Sequence, residues 1–300
     1  MAVAEAFVTP EQDELVSASA GNVPAADKFI GQLLLDAGKI NRQDITQILT
    51  TQRQQALRFG DAARFLGLVS EADVQHALSR QFQYTYSRSG ESDLSAELFT
   101  MYQPFSVQAE ALRALRTQLL LRWFQDSNKT LAVVSARGGD GCSTIAANLA
   151  VVFAQLGERT LLIDANLRRP RLHALFGVTP EAGLSSVLAE RGSFQAALIP
   201  VAPLANLSIM CAGPTPPNPQ ELLSRANFSI IMEEAAATND TVIVDAPGVL
   251  EFGDAQIIAA RAGGCLIVTR RHRTRIADVE QAKATLRPTG AALLGTVIND

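Results

Sequence analysis

Long apolar runs are missing from this chain. Its most hydrophobic stretches, 146–157 and 196–210, are interrupted by Asn148, Pro200, Pro203 and Asn206. Neither reaches the roughly 18 uninterrupted apolar residues that a membrane-spanning helix needs. The opening MAVAEAFVTPEQDEL has no basic cluster ahead of an apolar core, so it lacks the pattern of a secretory leader. Cysteine is scarce: Cys142, Cys211 and Cys265 are odd in number and far apart. That excludes a disulfide framework and a zinc cluster and fits a reducing compartment. Positive charge is not in excess either, with 26 Lys and Arg against 30 Asp and Glu and a formal net charge of −4. The surface as a whole therefore does not suit nucleic acid, and no nucleic-acid partner is expected. These absences predict a soluble, cytoplasmic protein.

What is present is enough for two cores: 300 residues, 47% of them hydrophobic. The front of the chain repeats itself. Gly31 aligns with Gly60, Gly38 with Gly67, Ile45 with Val74, Leu49 with Leu78 and Gln52 with Gln81. Each copy reads as a short helix, a glycine stop and a longer amphipathic helix, and two such units must pack on each other to bury their apolar faces. This predicts a small helical docking or sensing domain over 25–83. The motif G-x-x-[LA]-x-x-x-G-x6-[IV]-x3-L-x2-Q resembles the tandem repeat of N-terminal domains on secretion and pilus ATPases. The resemblance implies a cyclic di-GMP site that uses an arginine two residues before the first glycine. Arg58 matches in the second copy, and Phe29 stands there in the first. From 84 to 105 the composition shifts to Ser, Gly, Glu and Tyr, which reads as a linker.

From Thr130 onward short apolar runs alternate with helical periodicity. Strands are expected at 131–135, 160–164, 207–211, 241–245, 265–269 and 292–298, with helices at 143–156, 220–237, 255–262 and 276–286. This alternation implies a largely parallel sheet covered on both faces. The fold class expected for 106–300 is α/β, a P-loop NTPase-like parallel sheet flanked by helices, and the small all-helical domain precedes it.

The first strand runs into Ala136-Arg137-Gly138-Gly139-Asp140-Gly141-Cys142-Ser143-Thr144 and then a helix. A glycine-rich turn ahead of a helix N-terminus points consecutive N–H groups at a phosphate. Residues 137–144 are therefore candidates for holding a nucleotide, ATP. The usual loop, G-x-x-x-x-G-K-[ST], has a lysine that reaches the β- and γ-phosphates. Cys142 occupies that position, and Arg137 is the candidate cation in its stead. Ser143 is placed to ligate Mg²⁺. Two apolar strands end in an acid, at Asp164 (Leu161-Leu162-Ile163-Asp164) and at Asp245 (Val242-Ile243-Val244-Asp245). Such carboxylates can hold Mg²⁺ and its waters, although a strand-terminal Asp also serves as a helix cap. The candidate metal residues are Ser143, Asp164 and Asp245.

From Tyr102 onward the sequence resembles the bacterial tyrosine kinases that partner polysaccharide chain-length determinants. Glu110-x-x-Arg113-x-x-Arg116 matches their oligomerisation helix, and Asp164-x-Asn166-x-Arg168 their Asp-x-Asp-x-Arg element. Asp245-Ala246-Pro247 matches their Asp-x-Pro, and Gly213-Pro-Thr-Pro-Pro-Asn218-Pro-Gln-Glu221 a further family stretch. Val297-Ile298-Asn299-Asp300 is similar to the strand end whose Asn lies near the adenine. With the helical repeat, the chain is most similar to the exopolysaccharide chain-length determinant branch. The resemblance implies catalytic roles for Asp164, Asn166, Arg168 and Asp245, and adenine contact by Asn299. It also implies ring assembly through Glu110, Arg113 and Arg116, and a membrane chain-length determinant protein as partner at the inner face of the cytoplasmic membrane.

Cys142 and Asn166 depart from the pattern, since neither a thiol nor an amide replaces the lysine or the acid. Slow or absent tyrosine phosphorylation is the expectation. Only Tyr84, Tyr86 and Tyr102 occur, so the C-terminal tyrosine cluster of such kinases is not found in these residues. A nucleotide-sensing scaffold is the alternative from another functional class. Partitioning and septum-placement ATPases share the loop but predict lysine at both 137 and 142. The run Arg270-Arg271-His272-Arg273-Thr274-Arg275 is expected to be a solvated loop or a contact for acidic groups. His76 and His173 stand alone, so no histidine receives a role.

Overall fold

The computed structural model describes residues 30–81, 93–125 and 128–300. The chain forms two units, Met1–Gln83 and Tyr84–Asp300. Phe29, Tyr84 and Tyr86 lie outside the described residues, as does the first part of the expected linker.

In the first unit the repeat is realised as two helix pairs, α1 (Ile30–Asp36) with α2 (Arg42–Gln55), and α3 (Phe59–Phe65) with α4 (Glu71–Gln81). Gly38 and Gly67 both adopt positive φ, +66° and +69°, ending the short helix of each copy where an L side chain would be strained. Each long helix then starts on a capping box. Asn41 accepts the N–H of Asp44, whose carboxylate accepts that of Asn41, and Ser70 and Asp73 do the same one repeat later. A Cβ on Gly60 would lie 2.7 Å from Val74 Cγ1, and one on Gly31 would lie 3.1 Å from the Phe59 ring. Close packing thus accounts for the repeated glycines. Leu33, Leu34, Ile48, Ala62, Val74 and Ala77 form the shared core.

The second unit is a seven-stranded sheet with order β3-β4-β2-β5-β1-β6-β7. Its strands are β1 (Thr130–Ser135), β2 (Thr160–Asp164), β3 (Ile199–Pro200), β4 (Leu207–Met210), β5 (Thr241–Gly248), β6 (Gly264–Arg270) and β7 (Ala292–Asn299). All neighbours run parallel except the short pair β3 and β4. Leu131 and Val133 of β1 enter one core and Ala132 and Val134 the other. Both faces are covered, as a βαβ chain requires. One face carries α5 (Phe99–Tyr102), α6 (Val107–Arg122), α7 (Cys142–Gln155) and α8 (Leu172–Leu175). The other carries α9 (Leu184–Leu188), α10 (Pro219–Ser224), α11 (Ala226–Thr238), α12 (Asp254–Ala262) and α13 (Ile276–Leu286).

Two expectations need correction. Residues 93–105 are packed structure rather than linker: Leu98, Met101 and Tyr102 are buried in the second unit's core. Thr100 donates from both N–H and hydroxyl to Asn148 Oδ1 of α7, at 3.0 and 2.8 Å. The few apolar anchors of this segment are diluted by Ser and Glu, so composition averaged over the stretch conceals them. The helix expected at 220–237 is two helices, because the backbone of Arg225 turns extended (φ −67°, ψ 154°) between α10 and α11. No described helix is long and apolar enough to cross a membrane.

Candidate functional site

The loop between β1 and α7 is shaped by two glycines with positive φ, Gly139 at +88° and Gly141 at +89°. A side chain at either would be strained by its φ and would meet a neighbouring side chain. A Cβ on Gly141 would lie 2.1 Å from Asn299 Nδ2, and one on Gly139 would lie 2.6 Å from Arg273 Nη2. Asn299, at the end of β7, donates to the Asp140 carbonyl at 3.1 Å. Arg273 and Arg270 donate to the Gly139 carbonyl at 3.1 and 3.4 Å. Part of the basic run therefore braces the loop, while Arg270 and Arg273 stay exposed. Gly141 caps α7 without a side chain, so the first-turn N–H groups of Cys142, Ser143 and Thr144 are not met by a capping residue.

Cys142 is buried, and its Sγ donates to the Val133 carbonyl at 3.1 Å. Burial, then the charge of Asp245, pushes its thiol well above the ordinary value, so it stays neutral. Arg137, the candidate cation, faces α13. Its guanidinium grips Asp278 of α13 through Nε at 3.2 Å and Nη2 at 3.1 Å.

Asp164 and Asp245 pair in register across β2 and β5, and both are fully buried. Asp164 accepts the N–H groups of Arg171 and Leu172, each at 3.0 Å, and that of Asn166 at 3.2 Å. Burial, and then Asp245, still pushes its carboxyl upward. Neither oxygen of Asp245 has a hydrogen-bond partner among the described residues. Burial raises its pKa too, although Ser143, Cys142 and Arg171 beside it act in the lowering direction. The two strand-end acids and Ser143 are thus brought together, as the sequence pattern expects.

The turn after β2 divides its residues. Asn166 Oδ1 accepts the Arg169 N–H at 3.1 Å and shapes the turn. Arg168 leaves the loop, bonding buried Asp254 through Nε at 2.7 Å and Nη2 at 3.2 Å, with its guanidinium 4.3 Å over the Phe252 ring. Arg169 and Arg171, from the same turn, stay beside the loop. Both line a cavity of about 250 Å³ with Gly138, Gly141, Cys142 and Ser143. A second cavity, of about 610 Å³, adjoins the loop and is lined by Phe99, Val107, Thr144, Ile298 and Asn299. Arg171 lines both.

Glu97 is the residue that sequence reasoning missed. Its carboxylate accepts from Arg171 Nη2 at 2.6 Å and from Thr144 Oγ1 at 2.8 Å. Its only signal was Asn148, a polar residue in the apolar run of α7, whose amide donates to the Glu97 carbonyl at 2.8 Å.

On α6, Glu110 and Arg113 form an ion pair at 2.7 Å. Arg113 also donates to the Pro104 carbonyl, and Arg116 donates to that of Val152 at 2.7 Å. Both arginines are engaged within their own chain, and Glu110 points outward with 73% of its side chain exposed.

A strand, a glycine loop braced from β7, and two carboxylates on adjacent strands suit a phosphorylated ligand with a cation. The family model for ParA-type proteins, described as NUBPL iron-transfer P-loop NTPase, matches residues 126–299. The tyrosine-protein kinase YwqD of Bacillus subtilis is 38% identical over 208 residues, 69% of this chain and 87% of that protein. The chain belongs to the bacterial tyrosine-protein kinases. Among solved structures, the chimerical protein CapA2B2 is 31% identical with a TM-score of 0.65, over 77% of this chain and 98% of that one. The kinase domain of Escherichia coli tyrosine kinase ETK is 32% identical with the same TM-score, 0.65, over 67% and 79%. Within this tyrosine-kinase fold, the present chain has a neutral thiol at the usual position of the phosphate lysine.

Proposed function

We propose that this chain binds Mg-ATP at the loop between β1 and α7. It regulates exopolysaccharide synthesis or export from the inner face of the cytoplasmic membrane, beside an integral chain-length determinant protein. The observation that carries the nucleotide reading is the Asp245 carboxylate, fully buried beside Ser143 with no hydrogen-bond partner among the described residues. A buried carboxylate left unneutralised next to a phosphate loop is a site short of a cation. Ser143, Asp245 and Asp164 would hold Mg²⁺, and the N–H groups of residues 138–144 the phosphates. The cavity ending in Asn299 would take the base. When bound, Mg-ATP supplies a transferable phosphoryl group together with the charge that stabilises its departure.

Transfer to tyrosine is slow. Cys142 offers no cation, Arg137 is held by Asp278, and Asn166 cannot accept a proton from a hydroxyl. Loss of one preorganised electrostatic contact costs roughly 10²–10³ in rate. The buried Cys142 thiol also favours a second reading, a nucleotide-sensing scaffold without turnover. The tyrosine-kinase resemblance of α6 supports self-association into a ring, with Glu110, Arg113 and Arg116 meeting a complementary patch on the next copy.

Calorimetric titration with ATP, with Mg²⁺ or with a chelator, tests the nucleotide reading. Weak binding that needs Mg²⁺ is expected, and no binding in either condition contradicts it. Transfer of labelled phosphate to tyrosine in the same samples separates slow kinase from scaffold.

A further inference from the structure

The turn after β5 brings a carboxylate onto the phosphate loop. Gly248 permits the approach, because a Cβ there would lie 2.9 Å from the Arg137 Cα and 3.0 Å from the Gly138 nitrogen. The N–H groups of Val249 and Leu250 then donate to the carbonyls of Ser135 and Ala136, at 2.9 and 3.1 Å. These bonds seat Glu251 over the loop, where its Oε1 accepts the Gly138 N–H at 2.9 Å. Arg169 reaches the same point from the turn after β2. Its Nη1 lies 3.7 Å from Glu251 Oε2 and 3.4 Å from the position of a Gly138 Cβ.

A carboxylate on a loop N–H occupies an acceptor position that a phosphate oxygen would take, and it repels the approaching anion. The other arginines around the loop hold closer partners. Arg137 is bound to Asp278, Arg168 to Asp254 and Arg171 to Glu97, while Arg270 and Arg273 bind the Gly139 carbonyl. Among the described residues the Arg169 guanidinium has the long contact to Glu251, with 70% of its side chain exposed, a pairing that contributes little and exchanges readily.

We propose that Glu251 is a built-in occupant of the phosphate loop, displaced by the terminal phosphate of a nucleoside di- or triphosphate, and that Arg169 passes from Glu251 to that phosphate. This rests on the nucleotide-binding reading above and adds a preference for a polyphosphate chain over a monophosphate through Arg169, which only the terminal phosphate meets. Arg169 supplies the cation that Cys142 does not, and Glu251 holds it in readiness while lowering affinity for the phosphate that must displace it.

The test is titration of the full chain with ATP, ADP and AMP in Mg²⁺, for the wild type, Glu251→Gln, Arg169→Ala and Arg169→Lys. Glutamine keeps an acceptor oxygen for the Gly138 N–H while removing the charge, and both side chains are partly exposed, so the core is untouched. Glu251→Gln should tighten ATP and ADP roughly three- to ten-fold and leave AMP unchanged. Arg169→Ala should weaken ATP and ADP roughly ten-fold, again sparing AMP, with Arg169→Lys in between. Wild-type affinity for ATP in Glu251→Gln, or AMP shifted as much as ATP, overturns the proposal. If the wild type binds ATP and ignores both substitutions, this inference alone fails. If neither the wild type nor Glu251→Gln binds any nucleotide, the underlying reading fails with it.

Discussion

Asp164 and Asp245 stand at paired positions on β2 and β5, both without exposed surface, yet three backbone N–H groups reach the first and, among the described residues, no backbone N–H reaches the second. The asymmetry leaves one carboxylate supported by the turn that follows it and the other facing Ser143 and Cys142.

This pair makes stability depend on pH. Burial raises Asp245 to about 6 and, with the Asp245 charge, Asp164 to about 8, both above the ordinary 3.8. The folded chain therefore binds more protons than the unfolded chain between about pH 4 and pH 8, and stability falls as pH rises through that window. Melting temperatures of the metal-free protein should decline from pH 5 to pH 8, Mg²⁺ should flatten the slope, and Asp245→Asn should flatten it without Mg²⁺. A slope unchanged in Asp245→Asn would show that the pair does not carry it.

Gly141 should tolerate no side chain. Alanine there must adopt φ near +89° and push Asn299 off the Asp140 carbonyl. Gly141→Ala should cost about 1–3 kcal/mol of stability and abolish ATP binding. Thermal unfolding and titration together check this, and full ATP affinity in the variant would contradict the role given to the loop.

Self-association is best probed at Glu110. Reversing Arg113 or Arg116 also breaks their bonds to the Pro104 and Val152 carbonyls, so loss of assembly would be confounded with damage to the fold. Glu110 is exposed, and its pair with Arg113 contributes only about 0–1 kcal/mol. Glu110→Arg should keep the melting temperature and lose the faster-sedimenting species expected of the wild type with the cytoplasmic segment of the proposed membrane partner. Identical sedimentation of the two proteins would remove Glu110 from the interface.

The sheet was legible because its central strands carry unbroken apolar runs, 131–134, 161–163, 242–244 and 265–268. β3 escaped notice because two residues, Ile199 and Pro200, make no pattern. The glycine loop, Ser143 and the two acids were legible from local spacing alone. The ownership of each arginine was not. Arg137 finds Asp278, Arg168 finds Asp254, and Arg273 reaches back to Gly139, all contacts between residues far apart along the chain. Local spacing identifies a charge but leaves its partner open, since the partner is fixed by which strands the sheet places side by side. Glu97 was hidden for the same reason, in a segment whose composition suggests a linker but whose side chains reach α7.

A buried, neutral Cys142 stands where a phosphate-reaching cation belongs, and weak nucleotide binding is the expected consequence. The most direct measurement is ATP affinity and hydrolysis of the wild type beside Cys142→Lys, in Mg²⁺. The lysine can extend into the cavity lined by Gly138, Ser143 and Arg169, adding a charge-assisted contact of about 1.5–3 kcal/mol to the phosphates. Roughly ten-fold or greater tightening with faster hydrolysis is the predicted result. Equal affinity and equal hydrolysis in the two proteins would contradict it.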